Sequence, residues 1–209
     1  MQYEHHGFTI RIEEDDNGWS ESPREWGTVG TILSFHQHGD HGELSKADIE
    51  IPDDAVQPTT EQEALELWIE CVKAQFGATV VLPVWHYTHS GTTIRVAESN
   101  PFSCPWDSGL MGLIFDTPAG LKSSGYTEWD ADQIENSLQG EIEAYDMYLR
   151  GEVYGFVVES PEGDNVESCW GFYGDPEKSG CKDEAENMAV WHAKKRVEED
   201  AKINRCMAL

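Results

Sequence analysis

The sequence predicts an α+β fold, in which a mostly antiparallel sheet is packed against about three helices. Three observations lead to this prediction. Short runs rich in β-branched and aromatic residues alternate with Gly, Pro, Asn and Asp turn signals, as is typical of strands. Three longer segments combine helical spacing of apolar residues with capping patterns. No repeat or low-complexity linker divides the 209 residues, so we expect a single domain over residues 1–209.

The first part of the chain predicts two strands. The segment Phe8-Thr9-Ile10-Arg11-Ile12 alternates apolar and polar side chains, which indicates a half-buried strand. A longer apolar run from Thr28 to Phe35 predicts a buried strand that ends at His36. The residues that follow, Gln37 to Pro58, are polar and rich in turn formers, and their spacing matches neither a helix nor a strand.

The clearest predicted helix begins at Thr60. Thr60 and Glu63 have the spacing of a capping box, in which each side chain accepts a hydrogen bond from the other residue's backbone N–H. Apolar residues then recur at helical spacing until Gly77, which is a typical helix end. The predicted buried face consists of Ala64, Trp68, Cys71, Val72 and Phe76.

Three strands are predicted in the middle of the chain. The run Ala78 to Tyr87 is rich in β-branched residues, and Pro83 within it indicates an edge strand or a bulge. The short run Thr92 to Val96 is its expected partner across the turn His89-Ser90-Gly91. The apolar run Leu110 to Phe115 predicts another buried strand.

Two further helices and a hairpin are predicted in the last part of the chain. One helix begins at Asp130 and ends before Gly151, with apolar side chains recurring every three or four residues. The strands Val153 to Glu159 and Val166 to Phe172 are joined by a turn that contains Pro and Gly, which predicts a hairpin. The last helix, about residues 183–205, is a candidate appendage to the domain. Its thin apolar stripe consists of Met188, Trp191 and Ile203.

The charge of the chain is its most unusual property. It has 40 acidic and 14 basic residues, which gives a formal net charge of −26. Direct binding to nucleic acid or to anionic membranes requires Lys and Arg, so this composition argues against both. Three interpretations are compatible with it: a solvated surface, adaptation to high salt, or a surface that imitates DNA and binds a basic protein.

The cysteines and the N-terminus indicate a reduced, cytoplasmic protein. The five cysteines are an odd number without regular spacing, and no Cys-x-x-Cys is present. Neither a signal peptide nor an apolar run of membrane-spanning length is expected from the pattern.

The loop His36-Gln37-His38-Gly39-Asp40-His41 matches in form the His-x-His-x-Asp-His signature of the metallo-β-lactamase superfamily. Such a loop presents imidazoles and a carboxylate to zinc, which activates a bound water as a nucleophile. The metal candidates are therefore His36, His38, Asp40 and His41, and the remaining ligands would come from His86 or His89, Asp107 or Asp116, and His192. Because His192 falls within a predicted helix, a solvated polar loop is the alternative. We expect no cofactor unless this loop holds zinc.

A second candidate site centres on the loop Asn100 to Gly109, which contains two prolines, two aromatic residues, a thiol and a carboxylate. Cys104 could act as a thiolate nucleophile, with His86 or His89 as its base and Asp107 as the group that orients the base. The alternative for Cys104 is a packed small side chain. Arg24 could bind the anionic part of a ligand, but an ion pair with a buried carboxylate is the favoured interpretation.

Five blocks of the sequence resemble a family of uncharacterised proteins encoded by bacteriophages and other mobile elements. These blocks are Ser22 to Trp26, His89 to Gly91, Pro101 to Gly109, Tyr148 to Phe156 and Ser168 to Gly174. The resemblance implies an accessory protein that works in the cytoplasm of a host cell. It implies no activity, cofactor or catalytic residue.

Two hypotheses follow for the function. The first is an accessory protein that binds and inhibits a basic host protein, such as a nucleic-acid-binding defence component, through an acidic surface that resembles DNA. It predicts carboxylates in rows on one face. The second is a small metal- or Cys/His-dependent hydrolase or a nucleotide- or ligand-binding protein, with a site around Cys104, His89 and Asp107 that also includes His36 and Arg24. It predicts a pocket in which these side chains converge.

Overall fold

The computed structural model describes residues 1–15, 21–35 and 41–207. In these residues the chain forms two mostly antiparallel sheets and four α-helices, which confirms the predicted α+β class. The chain divides into two compact units. The first unit consists of residues 1–21 and 151–209, and the second consists of residues 22–150. Each unit has its own sheet.

The strands are β1 Gln2–His5, β2 Phe8–Glu14, β3 Gly30–Ser34, β4 Leu44–Ser45, β5 Val81–Thr88, β6 Thr92–Val96, β7 Ser108–Asp116, β8 Val153–Glu159 and β9 Asn165–Tyr173. The α-helices are α1 Glu61–Phe76, α2 Pro118–Ser123, α3 Ala131–Leu149 and α4 Cys181–Met207.

The first unit is an antiparallel sheet, in the order β1-β2-β8-β9, with α4 packed on it. The buried face of α4 is made of small side chains, Cys181, Ala185 and Ala189, which recur every four residues and let the helix approach the sheet closely. They pack against Ile10 and Phe156. Of the predicted stripe, Met188 packs against this core cluster, but the prediction was wrong for Trp191 and Ile203, whose side chains are 50% and 56% exposed.

Gly155 shows how closely this sheet packs. It pairs with Trp170 across β8 and β9, and the Trp170 ring lies over the glycine, where a Cβ atom would come within 2.3 Å of it. The position therefore requires glycine, and the Trp170 side chain fills the space above the strand. The predicted hairpin of β8 and β9 is confirmed.

The second unit is a five-stranded sheet in the order β4-β3-β7-β5-β6, covered on its two faces by α1 and α3. On one face, the α3 residues Ile134, Leu138 and Ile142 pack against Ile32 and Ile114, as their spacing predicted. The residues of the other face, which α1 covers, include Leu33, Leu65, Val72, Leu113 and Phe115. Because both faces are covered, β7 is apolar along nearly its whole length.

A bulge explains the pattern of the central strands. Val84 pairs with Gly112 and Trp85 with Leu110, so Met111 is the extra residue between them. The bulge predicted from Pro83 is confirmed at the neighbouring residue, but β5 lies between β6 and β7 and is not an edge strand. Pro83 lies on the β6 side just beyond the last β5–β6 pair, Val84 with Val96, so its missing N–H removes no hydrogen bond of that ladder.

Three elements were missed in the sequence: the strand β1, the two-residue strand β4 and the helix α2. β1 pairs with β2 through the turn His6-Gly7, and both turn residues have positive φ, 51° and 81°, as a two-residue hairpin turn requires. The sequence of β1 is polar and lacks the apolar alternation that indicates a strand. The short helix α2 begins after the N-cap Thr117 with Pro118 at its first position, a start signal that is visible in the sequence.

Candidate functional site

The helix α1 forms as its sequence predicts. The hydroxyl of Thr60 accepts a hydrogen bond from the Glu63 amide at 3.1 Å, and the Glu63 carboxylate accepts one from the Thr60 amide at 3.3 Å. Gly77 ends the helix in the left-handed conformation with φ 67°. Leu65, Cys71 and Val72 face the core, which leaves the opposite side of the helix exposed.

A groove of about 1250 Å³ lies between the exposed side of α1 and the loop 50–59. Part of its lining is apolar and accessible to a partner: Ile51 is 42% exposed and Val56 is 88% exposed. The other apolar residues that line it are Pro52, Ala55, Pro58, Leu67, Cys71 and Ala74. Exposed apolar side chains in a concave surface are typical of a binding site.

Carboxylates line both sides of this groove. Those of α1 recur at three- and four-residue spacing, so they form one row along the helix. Those of the loop lie on the other side of the groove. The six carboxylates are Glu63, Glu66 and Glu70 on α1, and Glu50, Asp53 and Asp54 on the loop. No Lys or Arg occurs between residues 50 and 70 or elsewhere in the lining of the groove, so the lining has a formal negative charge without a compensating cation. We call this feature the acidic groove.

Two ionisable groups of the acidic groove have shifted pKa values. The hydrogen bonds that the hydroxyl and amide of Thr59 donate to Glu63, both 2.7 Å long, lower the pKa of Glu63. Burial, together with the neighbouring Glu70 carboxylate, raises the pKa of the Cys71 thiol. At neutral pH the groove therefore combines a charged wall with an uncharged thiol in its lining.

The loop of the acidic groove is attached to α1 at both ends, by Glu63 at Thr59 and by the Gln75 side chain at the start of the loop. The Gln75 amide accepts a hydrogen bond from the Glu50 N–H at 2.9 Å and donates one to the Asp48 carbonyl at 2.8 Å. Ile49, between them, is 7% exposed and packs in the same core cluster as Leu65 and Val72. The first part of the loop is thus held in place, which keeps the groove formed before any partner arrives.

The sequence-predicted site residues Cys104, Asp107 and His89 come together at the far end of the same unit. The Cys104 thiol donates a hydrogen bond to Asp107 Oδ2 at 3.4 Å, and His89 Nδ1 lies 3.6 Å from the same oxygen. The carboxylate thus stands between thiol and imidazole. A nucleophile–base–orienter series needs the imidazole in the middle, so the three residues converge in a different order from the one expected.

Aromatic side chains surround this cluster. The rings of Tyr87 and Phe102 stack with centroids 5.8 Å apart, and the Arg95 guanidinium lies 5.9 Å from the Phe102 centroid. Trp106 is 91% exposed, and the His89 side chain is 71% exposed. We call Cys104, Asp107 and His89 with these rings the thiol cluster, which is an open surface and not an enclosed pocket.

Arg24 does not belong to the thiol cluster. Its guanidinium donates to Glu43 Oε1 at 2.8 Å, to Glu141 Oε2 at 2.8 Å and to the Gly30 carbonyl at 2.7 Å. Gly30 pairs with Asp116 at the end of β7, whereas Asp107 precedes its first residue. At about 3.3 Å per residue, the two places are roughly 30 Å apart along the strand.

Arg24 and its partners have a structural role, as the favoured interpretation held. Glu141 accepts hydrogen bonds from the amides of Val29 and Gly30, and Glu43 accepts one from the Ile32 amide. The two carboxylates thereby accept hydrogen bonds from backbone amides in β3 and just before it. Burial raises the pKa of Glu141, against the lowering effects of the Val29 amide and Arg24.

The structure describes only part of the predicted metal site. His36, His38 and Asp40 lie outside the described residues. His41 Nδ1 is 3.2 Å from the Tyr145 hydroxyl. Among the further ligands considered, Asp116 Oδ1 accepts hydrogen bonds from two backbone amides, at 2.6 and 2.9 Å, and His192 Nε2 lies 3.7 Å from Glu167 in the first unit. Within residues 1–15, 21–35 and 41–207, no three His, Cys, Asp or Glu side chains are grouped as metal ligands.

Comparisons of the chain with protein-family models, with curated proteins and with solved structures find no match. In the described part of the chain, no helix is both long enough and apolar enough to cross a membrane. Sequence reasoning missed the acidic groove, because no short motif indicates it. The signal was present as seven acidic residues and no basic residue between positions 50 and 70.

Proposed function

We propose that this chain is an accessory protein that binds a basic host protein, with the acidic groove as the binding site. The observation that carries the proposal is the combination of six carboxylates with an exposed apolar lining in one concave surface. A partner that fits has cationic side chains on one face and apolar side chains on the other. The amphipathic basic helix is the common protein element with this character.

The apolar lining favours, as the partner's contact, an amphipathic basic helix over a surface that offers only Lys and Arg side chains. Along α1, the carboxylates of Glu63, Glu66 and Glu70 are separated by about 4.5 and 6 Å of helix axis. Phosphates of one DNA strand follow at about 3.4 Å of axis. The groove therefore imitates DNA in the sign of its charge, while Ile51 and Val56 offer apolar contacts that DNA phosphates lack.

The class of target follows from the charge and from the sequence resemblance. Nucleic-acid-binding proteins carry the clustered Lys and Arg that an acidic groove attracts. The resemblance to phage and mobile-element proteins adds a host cytoplasm as the place of action. A nucleic-acid-binding defence protein of the host is therefore the target that we propose, and inhibition would follow from occupying its basic surface.

Binding of a synthetic amphipathic peptide tests the proposal. A helical peptide of about 14 residues, with Lys on one face and Leu on the other, spans the exposed length of α1. We expect fluorescence anisotropy to show binding that weakens as salt is raised from about 50 to about 500 mM. The variant Glu66→Lys/Glu70→Lys should weaken binding by at least about tenfold.

The control variant is Glu135→Lys/Glu143→Lys, which changes the net charge equally on exposed positions of α3. It should bind the peptide within about twofold of the unmodified chain. Equal losses in the two variants would mean that net charge, and not the acidic groove, attracts the peptide. That result would contradict the proposal.

A second candidate function is a thiol-dependent hydrolase or ligand-binding site at the thiol cluster. It is favoured by the convergence of Cys104 and His89 on Asp107 Oδ2. Labelling of Cys104 by iodoacetamide as a function of pH tests it. A reactive thiolate should label faster than the exposed Cys169 of the same chain, and His89→Ala should remove the difference. Equal labelling rates for the two thiols would exclude this function.

A further inference from the structure

The last part of α4 differs from the rest of the helix in its surroundings. The small buried side chains of α4 end at Ala189, and all residues from 194 to 207 are exposed. At 1.5 Å per residue, these residues form about 20 Å of helix. We call residues 194–207 the α4 extension. The Arg196 guanidinium pairs with Glu162 of the β8–β9 turn, with one N–O distance of 2.7 Å, and marks where the extension begins.

The α4 extension carries the opposite charge to most of the chain. It contains three acidic residues, Glu198, Glu199 and Asp200. Five of the 14 basic residues of the chain lie in it: Lys194, Lys195, Arg196, Lys202 and Arg205. Its formal charge is therefore +2, within a chain of net charge −26.

The α4 extension also exposes apolar side chains. Val197 is 68% exposed, Ile203 is 56% exposed and Met207 is 78% exposed. Ile203 follows Ala189 by 14 residues, close to four helical turns, and Met207 follows Ile203 by one turn. Ile203 and Met207 therefore lie on the same side of α4 as the small residues that pack on the sheet. In the α4 extension, however, this side of the helix is exposed to solvent.

We propose that the α4 extension of one copy of this chain docks in the acidic groove of a second copy. The extension has both properties that the groove selects, namely cationic side chains and exposed apolar ones. The lengths also agree, since α1 from Glu63 to Gln75 spans about 18 Å. Charge complementarity favours this site for the extension, because the lining of the acidic groove contains six carboxylates and no Lys or Arg.

This proposal rests on the acidic groove being a docking surface, as proposed above, and adds regulation to it. A groove that holds the extension of another copy is closed to the basic host protein. The host protein must displace the extension, so the apparent affinity for the target falls as the chain self-associates. Dilution or a competing basic peptide frees the groove.

The test is sedimentation velocity of the full chain at low salt over a wide range of concentration. The unmodified chain should shift from monomer to larger species as concentration rises, and high salt should reverse the shift. Two charge-reversal variants should each remain monomeric: Glu66→Lys/Glu70→Lys in the groove, and Lys202→Glu/Arg205→Glu in the extension. Both change exposed positions, so circular dichroism should show unchanged folding.

Mixing the two variants gives the decisive result. Each alone brings like charges together, whereas the mixture pairs an intact extension with an intact groove and a reversed extension with a reversed groove. Association should return in the mixture, whereas Glu135→Lys/Glu143→Lys alone, which leaves both the groove and the extension intact, should associate as the unmodified chain does. A chain that is monomeric at all concentrations, or a mixture that stays monomeric, would overturn the proposal.

The same measurements separate this inference from the proposed function. If the unmodified chain is monomeric but binds the Lys/Leu peptide through Glu66 and Glu70, the self-docking proposal fails and the groove remains a site for a partner. If the chain self-associates with the predicted charge rules but the peptide neither binds nor competes, the groove serves self-assembly and the proposed function fails.

Discussion

The acidic groove and the α4 extension are complementary surfaces that are held in different ways. The groove lies over buried residues, including Ile49 and Val72, and its loop is attached to α1 by Gln75. The extension is exposed along its whole length and depends on local helix stability, to which Lys, Arg, Glu and Ala contribute. Isolated helices of this length are marginal in water. The negative site is therefore preorganised, whereas its positive counterpart stays adaptable.

The largest expected effect comes from removing a core side chain beneath the groove. Val72 is fully buried on the inner side of α1, so Val72→Ala should lower the free energy of unfolding by about 2–3 kcal/mol. The matched change in the extension, Val197→Ala, removes a side chain that is 68% exposed. It should change the free energy of unfolding by less than about 0.5 kcal/mol. Urea denaturation measures both. Similar losses would mean that the extension is packed in solution.

An intermediate effect is expected from detaching the loop. Gln75→Ala removes the two hydrogen bonds to Glu50 and Asp48, each of which contributes about 0.5–1 kcal/mol at an exposed site. The Glu50 amide should exchange with deuterium faster, and the Lys/Leu peptide should bind several-fold more weakly because the loop must be ordered on binding. Unchanged exchange at Glu50 with weaker binding would show that Gln75 acts by direct contact with the peptide.

The smallest effect concerns the pair that marks the start of the extension. Hydrogen bonds from Arg196 lower the pKa of Glu162 from 4.5 to about 2. Because the value in the folded state is the lower one, the contribution of this pair is present above pH 4.5 and is lost as the pH falls toward 2. We expect the Glu162 carboxyl resonance to titrate near the lower value, and Arg196→Gln to return it toward 4.5. The same midpoint in both chains would show that the pair does not form.

Local signals explain how much of the fold could be predicted from the sequence. The capping box of Thr60 and Glu63 and the left-handed Gly77 gave the limits of α1 within a residue. The polar strand β1 was missed because its partner, and not its own sequence, makes it a strand. The apolar stripe of α4 was misplaced because Cys181, Ala185 and Ala189 were not recognised as the small residues of a close helix–sheet contact.

The candidate site was predictable in its charge and not in its shape. Positions 50–70 could be identified as uniformly acidic, but the closing of the 50–59 loop against α1 depends on distant contacts such as that of Gln75 with Glu50. A site was predicted at the loop around Cys104 because its residue types are those used in catalysis. The structure brings Cys104, Asp107 and His89 together, yet the order of their contacts is set by the packing of the loop beside β5 and could not be derived from spacing.

The most direct test of the account is a map of where a basic amphipathic partner binds. Titration of the isotope-labelled chain with the Lys/Leu peptide, followed by backbone amide NMR, gives this map. We expect the largest shifts at residues 50–59 and on the exposed side of α1, including Glu66 and Glu70, and smaller shifts in the α4 extension as it is displaced. Shifts centred on the thiol cluster, or spread evenly over the acidic residues of both units, would contradict the acidic groove as the binding site.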